Sequence, residues 1–311
     1  MITPDLFDSL NEEAASEETK NQEQSSSAQS NESDELPEVV SGTLRKMITR
    51  ANKGKPVDYF LPVGEFHVPL NPYIGKNIRL EYQGEIHCLH CGERTNKSFG
   101  QGFCYKHFTS LAQNDSCIMS PEQCHYHEGT CREPEWGERN CMQSHYVYLS
   151  NSSAIKVGIT RGGQIPTRWI DQGATQAIAI ARVTTRQLAG LLEVAFKEHV
   201  ADKTHWQAML KGAPTVLDMA SERDRLFELA KPQLDALIAE HGLVAVQLLT
   251  NGEAYEFEFP VQQYPEKVKS FNLDKTDVVE GKLMGIKGQY LILDSGVINI
   301  RRFGGYSVNF S

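Results

Sequence analysis

The sequence predicts an α+β protein, and three observations carry that prediction. All seven cysteines of the 311-residue chain lie between Cys88 and Cys141. Short apolar runs punctuated by Gly and Pro flank that stretch on both sides, the signature of strands and turns. Helical periodicity is concentrated after it, between Thr185 and His241, so strands and helices are segregated rather than alternating.

No run approaches the roughly 18 apolar residues of a membrane span, so a soluble protein with no membrane partner is expected. Residues 1–40 hold eleven acids and one lysine. Such a composition buries too little apolar surface to offset chain entropy, and residues 1–38 are expected to be a disordered acidic tail. The tail accounts for the net charge: −9 for the chain less −10 for these residues leaves +1 for residues 41–311. It is a candidate docking segment for a protein partner, with PDLF as a short linear peptide within it. The opening MITPDLFDSLNEE has neither the basic nor the apolar stretch of a secretory signal, which points to a cytoplasmic, reducing compartment.

Residues 39–87 carry VDYFLPV and NIRLEYQGEI, a β-rich segment. The Cys-rich segment occupies 88–144. Residues 145–241 begin with YVYL and IKVGI, two strands joined by SNSS as a hairpin, and continue into TRQLAGLLEVAFKEHV, whose Leu188, Leu191, Leu192, Ala195, Phe196 and His199 keep helical spacing. One further helix is predicted over about 220–241, with Asp202 a candidate cap for a short helix over 204–210. Residues 242–311 return to strands between Gly turns. GTLRKM near the start resembles GKLMGI near the end, so the two β-rich segments are expected to pair into one small antiparallel barrel that brackets the middle of the chain.

Cys88 and Cys91, then Cys104 and His107 after a gap of twelve residues, form C-x2-C and C-x2-H pairs. Two thiolates converge on one ion from one tight turn, with Gly92 as the permissive residue, and the four donors match a closed tetrahedral Zn²⁺ site. Cys117, Cys124, Cys131 and Cys141, with His125 and His127 interspersed, are spaced more loosely. Four thiolates would close a second structural zinc site, or His127 replaces one of them. A disulfide framework is the rival, and an odd cysteine count in a reducing compartment counts against it.

The stretch YVYLSNSSAIKVGITRGGQIPTRW resembles the GIY-YIG nuclease superfamily over roughly residues 145–210. Tyr146–Tyr148 stands where that family has GIY, and Lys156–Gly158 where it has YIG. Arg168 matches the family arginine on the first helix, Glu193 its metal-binding glutamate, and His205 the position often held by asparagine. Joined to the cysteines, the chain is similar to a bacterial family of unknown function that couples zinc knuckles to a GIY-YIG-like domain. Lys156 in place of a tyrosine and His205 in place of asparagine are departures. The resemblance implies a catalytic set of Tyr148, Lys156, Arg168, Glu193 and His205, with Glu193 holding Mg²⁺ or Mn²⁺.

The chemistry is arguable from the residues alone. Phosphodiester hydrolysis needs a hard cation, a group that aligns water and a cation on the phosphoryl oxygens. A single carboxylate such as Glu193 suits Mg²⁺, which keeps most of its waters. Arg168 grips phosphate bidentately, and a phenol with an ordinary pKa of about 10 needs a neighbouring cation such as Lys156 to act as a base. Read singly, Glu193 is half of a surface i,i+4 pair with Lys197, and Tyr148 an ordinary strand residue. The expectations are a zinc-stabilised, metal-dependent hydrolase acting on DNA or RNA, or a non-catalytic nucleic-acid-binding module, or, in a third class, an interaction scaffold.

Overall fold

A computed structural model describes residues 38–200 and 206–311. The tail, PDLF, Asp202 and His205 therefore lie outside the described residues. No described helix is long and apolar enough to cross a membrane.

The β-rich segments supply β1 (Val40–Thr43), β2 (Ile48–Asn52), β3 (Lys55–Val63), β4 (Phe66–Pro69) and β5 (Asn77–His87), and, at the other end of the chain, β12 (Val278–Lys287), β13 (Tyr290–Leu293), β14 (Gly296–Asn299) and β15 (Tyr306–Phe310). β6 (Arg94–Thr95) folds back on β5. The seven-stranded sheet runs β1-β15-β5-β12-β13-β14, with β6 beside β5, and β2-β3-β4 make a separate three-stranded sheet. The two ends of the chain do pair: Val40 lies opposite Phe310, and β5 accepts both β12 and β15. The sheet remains open, in contrast to a barrel. β1 leaves it at Leu44, which bridges to Val63 of the small sheet, so that edge never meets β14. Nor do GTLRKM and GKLMGI pair with one another, since β1 joins β15 while β12 joins β5 and β13.

β15 shows why these segments are strands: Tyr306, Val308 and Phe310 are buried while Ser307 and Asn309 are half-buried, the period-2 pattern of a sheet with one packed face. Leu44, Leu61, Leu80, Leu291 and Phe303 fill the core that the seven-stranded and three-stranded sheets share. Each such side chain contributes about 1.5–3 kcal/mol of hydrophobic stabilisation.

The middle of the chain forms a five-stranded antiparallel sheet from β7 (His145–Asn151), β8 (Ile155–Arg161), β9 (Gln176–Val183), β10 (Val246–Leu248) and β11 (Tyr255–Glu256), in the order β10-β9-β7-β8 with β11 on β9. The hairpin of β7 and β8 pairs from His145↔Arg161 to Asn151↔Ile155. Every residue of β7 is buried, because both faces of the sheet are covered. Numbering helices among the described residues, α1 is Tyr105–Ser110, α2 Ser116–Met119, α3 Pro134–Asn140, α4 Thr167–Asp171, α5 Arg186–Lys197, α6 Trp206–Met209, α7 Met219–Leu229 and α8 Lys231–His241. On one face Val147, Leu149, Ile178 and Ile180 meet Leu188, Leu192 and Phe196 of α5, together with α7 and α8. On the other, Ala177 and Ala179 leave room for Trp169 of α4.

Thr185 caps α5 through Leu188 N–H, and Asp218 caps α7 through Ala220 and Ser221 N–H. The single helix expected over about 220–241 is two, broken at Ala230 with Pro232 in the first turn of α8, where its missing N–H costs nothing. α4 ties the sheets together. The buried carboxylate of Asp171 accepts from Lys46 Nζ and from Gln289 Nε2, each at 2.8 Å.

Candidate functional site

The first cysteine cluster is built by the end of β5. Cys88 N–H donates to Glu93 O at 2.9 Å and Gly92 N–H to Cys88 O at 2.8 Å, closing a turn in which Gly92 takes φ +74°. That turn sets Cys88 and Cys91 side by side. Leu89 N–H donates to Gly102 O at 2.7 Å, which brings in Cys104 at the N-terminus of α1 and His107 in its first turn. One donor atom each from Cys88, Cys91, Cys104 and His107 lie within 4.8 Å of one another. His107 Nδ1 is 3.5 Å from Cys88 Sγ and 3.2 Å from Cys104 Sγ. Donors of a tetrahedral zinc site stand about 3.5–3.8 Å apart for bond lengths of about 2.0–2.3 Å, so the cluster is consistent with zinc binding through all four. Burial pushes the Cys88 thiol up, but backbone donors around it at Cys104, Cys91 and His90, with His107, outweigh burial and bring it down to about 6. The same donors favour the thiolate, the ligating form.

The second set lies on the five-stranded sheet. Tyr148 sits on β7 opposite Gly158, where a Cβ would fall 2.6 Å from its hydroxyl oxygen, so only glycine leaves space for the phenol. The phenol is fully buried, packs edge-on against Trp169 with centroids 5.8 Å apart, and donates to Gln172 Oε1 at 2.8 Å. Burial raises its pKa, the neighbouring Arg168 opposes, and Glu193 adds to the rise. Lys156 pairs with Ser150 two residues along β8 from Gly158, which puts it on the same face. It is half-buried, has no ion-pair partner among the described residues, and is held below its ordinary pKa by burial.

Glu193 makes the i,i+4 pair with Lys197 at 3.4 Å, yet only 14% of its side chain is exposed, so it is no freely solvated surface acid. Burial pushes its carboxyl up against the pull of Lys197. Tyr148 is thus within electrostatic reach of both Arg168 and Glu193.

Sequence reasoning missed Arg301 and Arg186. Burial and then the charge of Arg168 lower the proton affinity of Arg301. Burial does the same to Arg186, opposed by the Cys141 thiol and reinforced by Arg168. None of Arg168, Arg186 and Arg301 joins an ion pair among the described residues. Arg301 Nε donates to Gln101 Oε1 at 2.7 Å, a link between the first cysteine cluster and the C-terminal sheet. A lone Arg-Arg-Phe far along the chain carries no signal for this; only the fold brings Arg301 to Arg168.

Fold and site together define a mixed α and β protein with several sheets and a Cys/His cluster suited to a metal. A family model described as "Protein of unknown function (DUF2797)" matches residues 75–308, and the chain belongs to that family. The match begins just before β5 and takes in the cysteines, the five-stranded sheet and most of the C-terminal strands. Neither a curated protein nor a solved structure shows significant similarity to the chain.

Proposed function

We propose that this protein is a zinc-stabilised nucleic-acid-binding protein that holds backbone phosphates with Arg168 and Arg301, aided by Lys156. One observation carries the reading: Arg168 and Arg301 are half-buried, each feels the other's charge, and neither is in an ion pair among the described residues, the nearby Asp171 carboxylate being taken up by Lys46 and Gln289. Half-buried like charges destabilise a fold unless an anion joins them, and paired guanidinium forks fit phosphate oxygens. The test is fluorescence anisotropy with single-stranded and duplex DNA and RNA across a salt series. Each phosphate contact removed, by Arg168→Ala or Arg301→Ala, lowers the slope of log K on log salt by about 0.9 for duplex or about 0.7 for single strands. Slopes unchanged in both variants would refute it.

A second reading, hydrolysis of the bound strand, is favoured by Tyr148 lying within electrostatic reach of both Glu193 and Arg168. Glu193 would hold Mg²⁺ or Mn²⁺ there, and the resemblance to GIY-YIG nucleases points the same way. Binding takes precedence because Tyr148 is sealed from water, donates its hydroxyl hydrogen bond to Gln172 and has a raised pKa, all of which disfavour a general base. Incubation of wild type and Glu193→Ala with a mixed nucleic-acid panel and either metal separates the two, since only the hydrolase predicts cleavage that the variant loses.

A further inference from the structure

We propose that Cys117, Cys124, Cys131 and Cys141 form a second structural zinc centre, a tetrathiolate seated on the first turn of α5. The thiols come from four short pieces: α2, the turn after the 3-10 stretch Pro121–Gln123, the loop before α3 and the C-cap of α3. All four line one cavity of about 20 Å³. About 10–15 Å³ already admits a single water-sized body, so the space suits one ion. The cysteine count closes as well. Three thiols with His107 at the first cluster and four here use all seven, and none is in a disulfide.

Among the described residues it is Asp115, Cys117 and His125, rather than the four thiols, that place one donor atom each within 4.8 Å of one another. Asp115 and His125 are held by other groups and by each other. Asp115 caps α2 by accepting from Ser116 N–H at 2.6 Å and takes Arg132 Nε at 2.9 Å. His125 meets the Thr130 hydroxyl with Nδ1 at 2.7 Å and Asp115 with Nε2 at 3.4 Å. They brace the loop beneath Cys117. His127 does not line the cavity; its ring packs edge-on against Tyr126.

Four thiolates around Zn²⁺ carry a net charge of −2, the thiol protons leaving to solvent as the ion binds, and a buried charge of that sign needs donors and a cation. α5 supplies both. Arg186 N–H donates to Cys141 O at 2.8 Å, Arg186 Nη2 to Ile118 O at 2.9 Å, and Gln187 Nε2 to Cys124 O at 3.2 Å. Arg186 Nε is buried with no partner, a donor left over for a sulfur. At Gly190 a Cβ would lie 2.5 Å from Glu122 N, so helix and ligand loop touch backbone to backbone. The centre thereby fixes the helix that carries Glu193.

The test is metal content of the full-length protein purified without chelator, followed by Co²⁺ replacement. Two zinc ions per chain are expected, with a thiolate-to-cobalt charge-transfer band whose intensity corresponds to seven Co–S bonds. Cys124→Ser retains one zinc, and Arg186→Gln weakens one site of the two by about 10–100-fold, the usual effect of losing a supporting contact. Should Cys124→Ser not fold, titration of the wild type with an organomercurial, following zinc release, gives two ions for seven thiols. One zinc per chain overturns the proposal. So do two ions with only four Co–S bonds, the outcome for an Asp115–Cys117–His125 centre.

Discussion

Substituting Gly158 by alanine tests the geometry around Tyr148 directly. The added methyl would lie 2.6 Å from the phenol oxygen, 2.7 Å from Cζ and 3.2 Å from Cε2. Since ordinary contacts begin near 3.4 Å, the ring must move by about 0.8 Å, and it has nowhere to go. Tyr148 is fully buried, with Trp169 against one side and Gln172 holding its hydroxyl. Overpacking of this kind costs about 1–3 kcal/mol, and loss of the bond to Gln172 about 1 kcal/mol more. At about 2–4 °C per kcal/mol for a protein of this size, Gly158→Ala should melt roughly 5–15 °C below wild type. Gly163→Ala serves as the control. No atom lies within 4 Å of its added methyl, so its effect should stay within about 0.5 kcal/mol. Thermal melts followed by circular dichroism read both. Equal melting temperatures for Gly158→Ala and wild type would mean that the phenol does not lie over Gly158, and the grouping with Arg168 would fall with it.

Cys88→Ser should lose the first zinc and lower stability, because structural metal contributes folding free energy; full metal content and unchanged melting would remove the cluster from consideration. Glu193→Ala should leave zinc content and nucleic-acid affinity near wild type, whether or not it abolishes cleavage, as its carboxylate faces neither cysteine cluster as a ligand. His145 is fully buried, and burial, with Arg186 and Arg161 outweighing its bond to Gln143 O, lowers its pKa to about 4. The unfolded chain, with a histidine pKa near 6.5, therefore binds the proton first, so stability falls as pH drops from about 6.5 to about 4, by up to about 3 kcal/mol. Urea titrations between pH 7 and pH 4.5 should show that slope in wild type and a shallower one in His145→Gln; parallel slopes would contradict the assignment.

What could be read from the sequence was local. The Cys88–Cys91 and Cys104–His107 spacing, the hairpin of YVYL with IKVGI, and the helix beginning after Thr185 each depend on residues within a few turns of one another. Non-local pairing was less legible. The β-rich ends pair as expected, but the open sheet follows from where Leu44 leaves it, a choice made by packing against Val63 rather than by propensity. Pro232 is a local signal for the break at Ala230, but the apolar periodicity runs through it. Asp171 is one polar residue in an ordinary run, and its role as a tie to Lys46 and Gln289 has no local signature. Arg301, 133 residues beyond Arg168 in the chain, was beyond any spacing argument.

The pairing of Val40 with Phe310 has a temporal side. β5 leaves the ribosome with one cysteine knuckle and the short β6 at its end but neither of its long sheet neighbours yet made, because β12 and β15 follow about two hundred residues later. The five-stranded sheet and the cysteine segment are assembled from neighbouring stretches and are free to fold first. The large sheet waits for the final strand, which slots between β1 and β5 and closes both edges at once. Such long-range closure is slow. A chain cut just short of Tyr306 would therefore leave two unsatisfied strand edges facing each other, a sticky surface of the kind that chaperones hold and proteases clear.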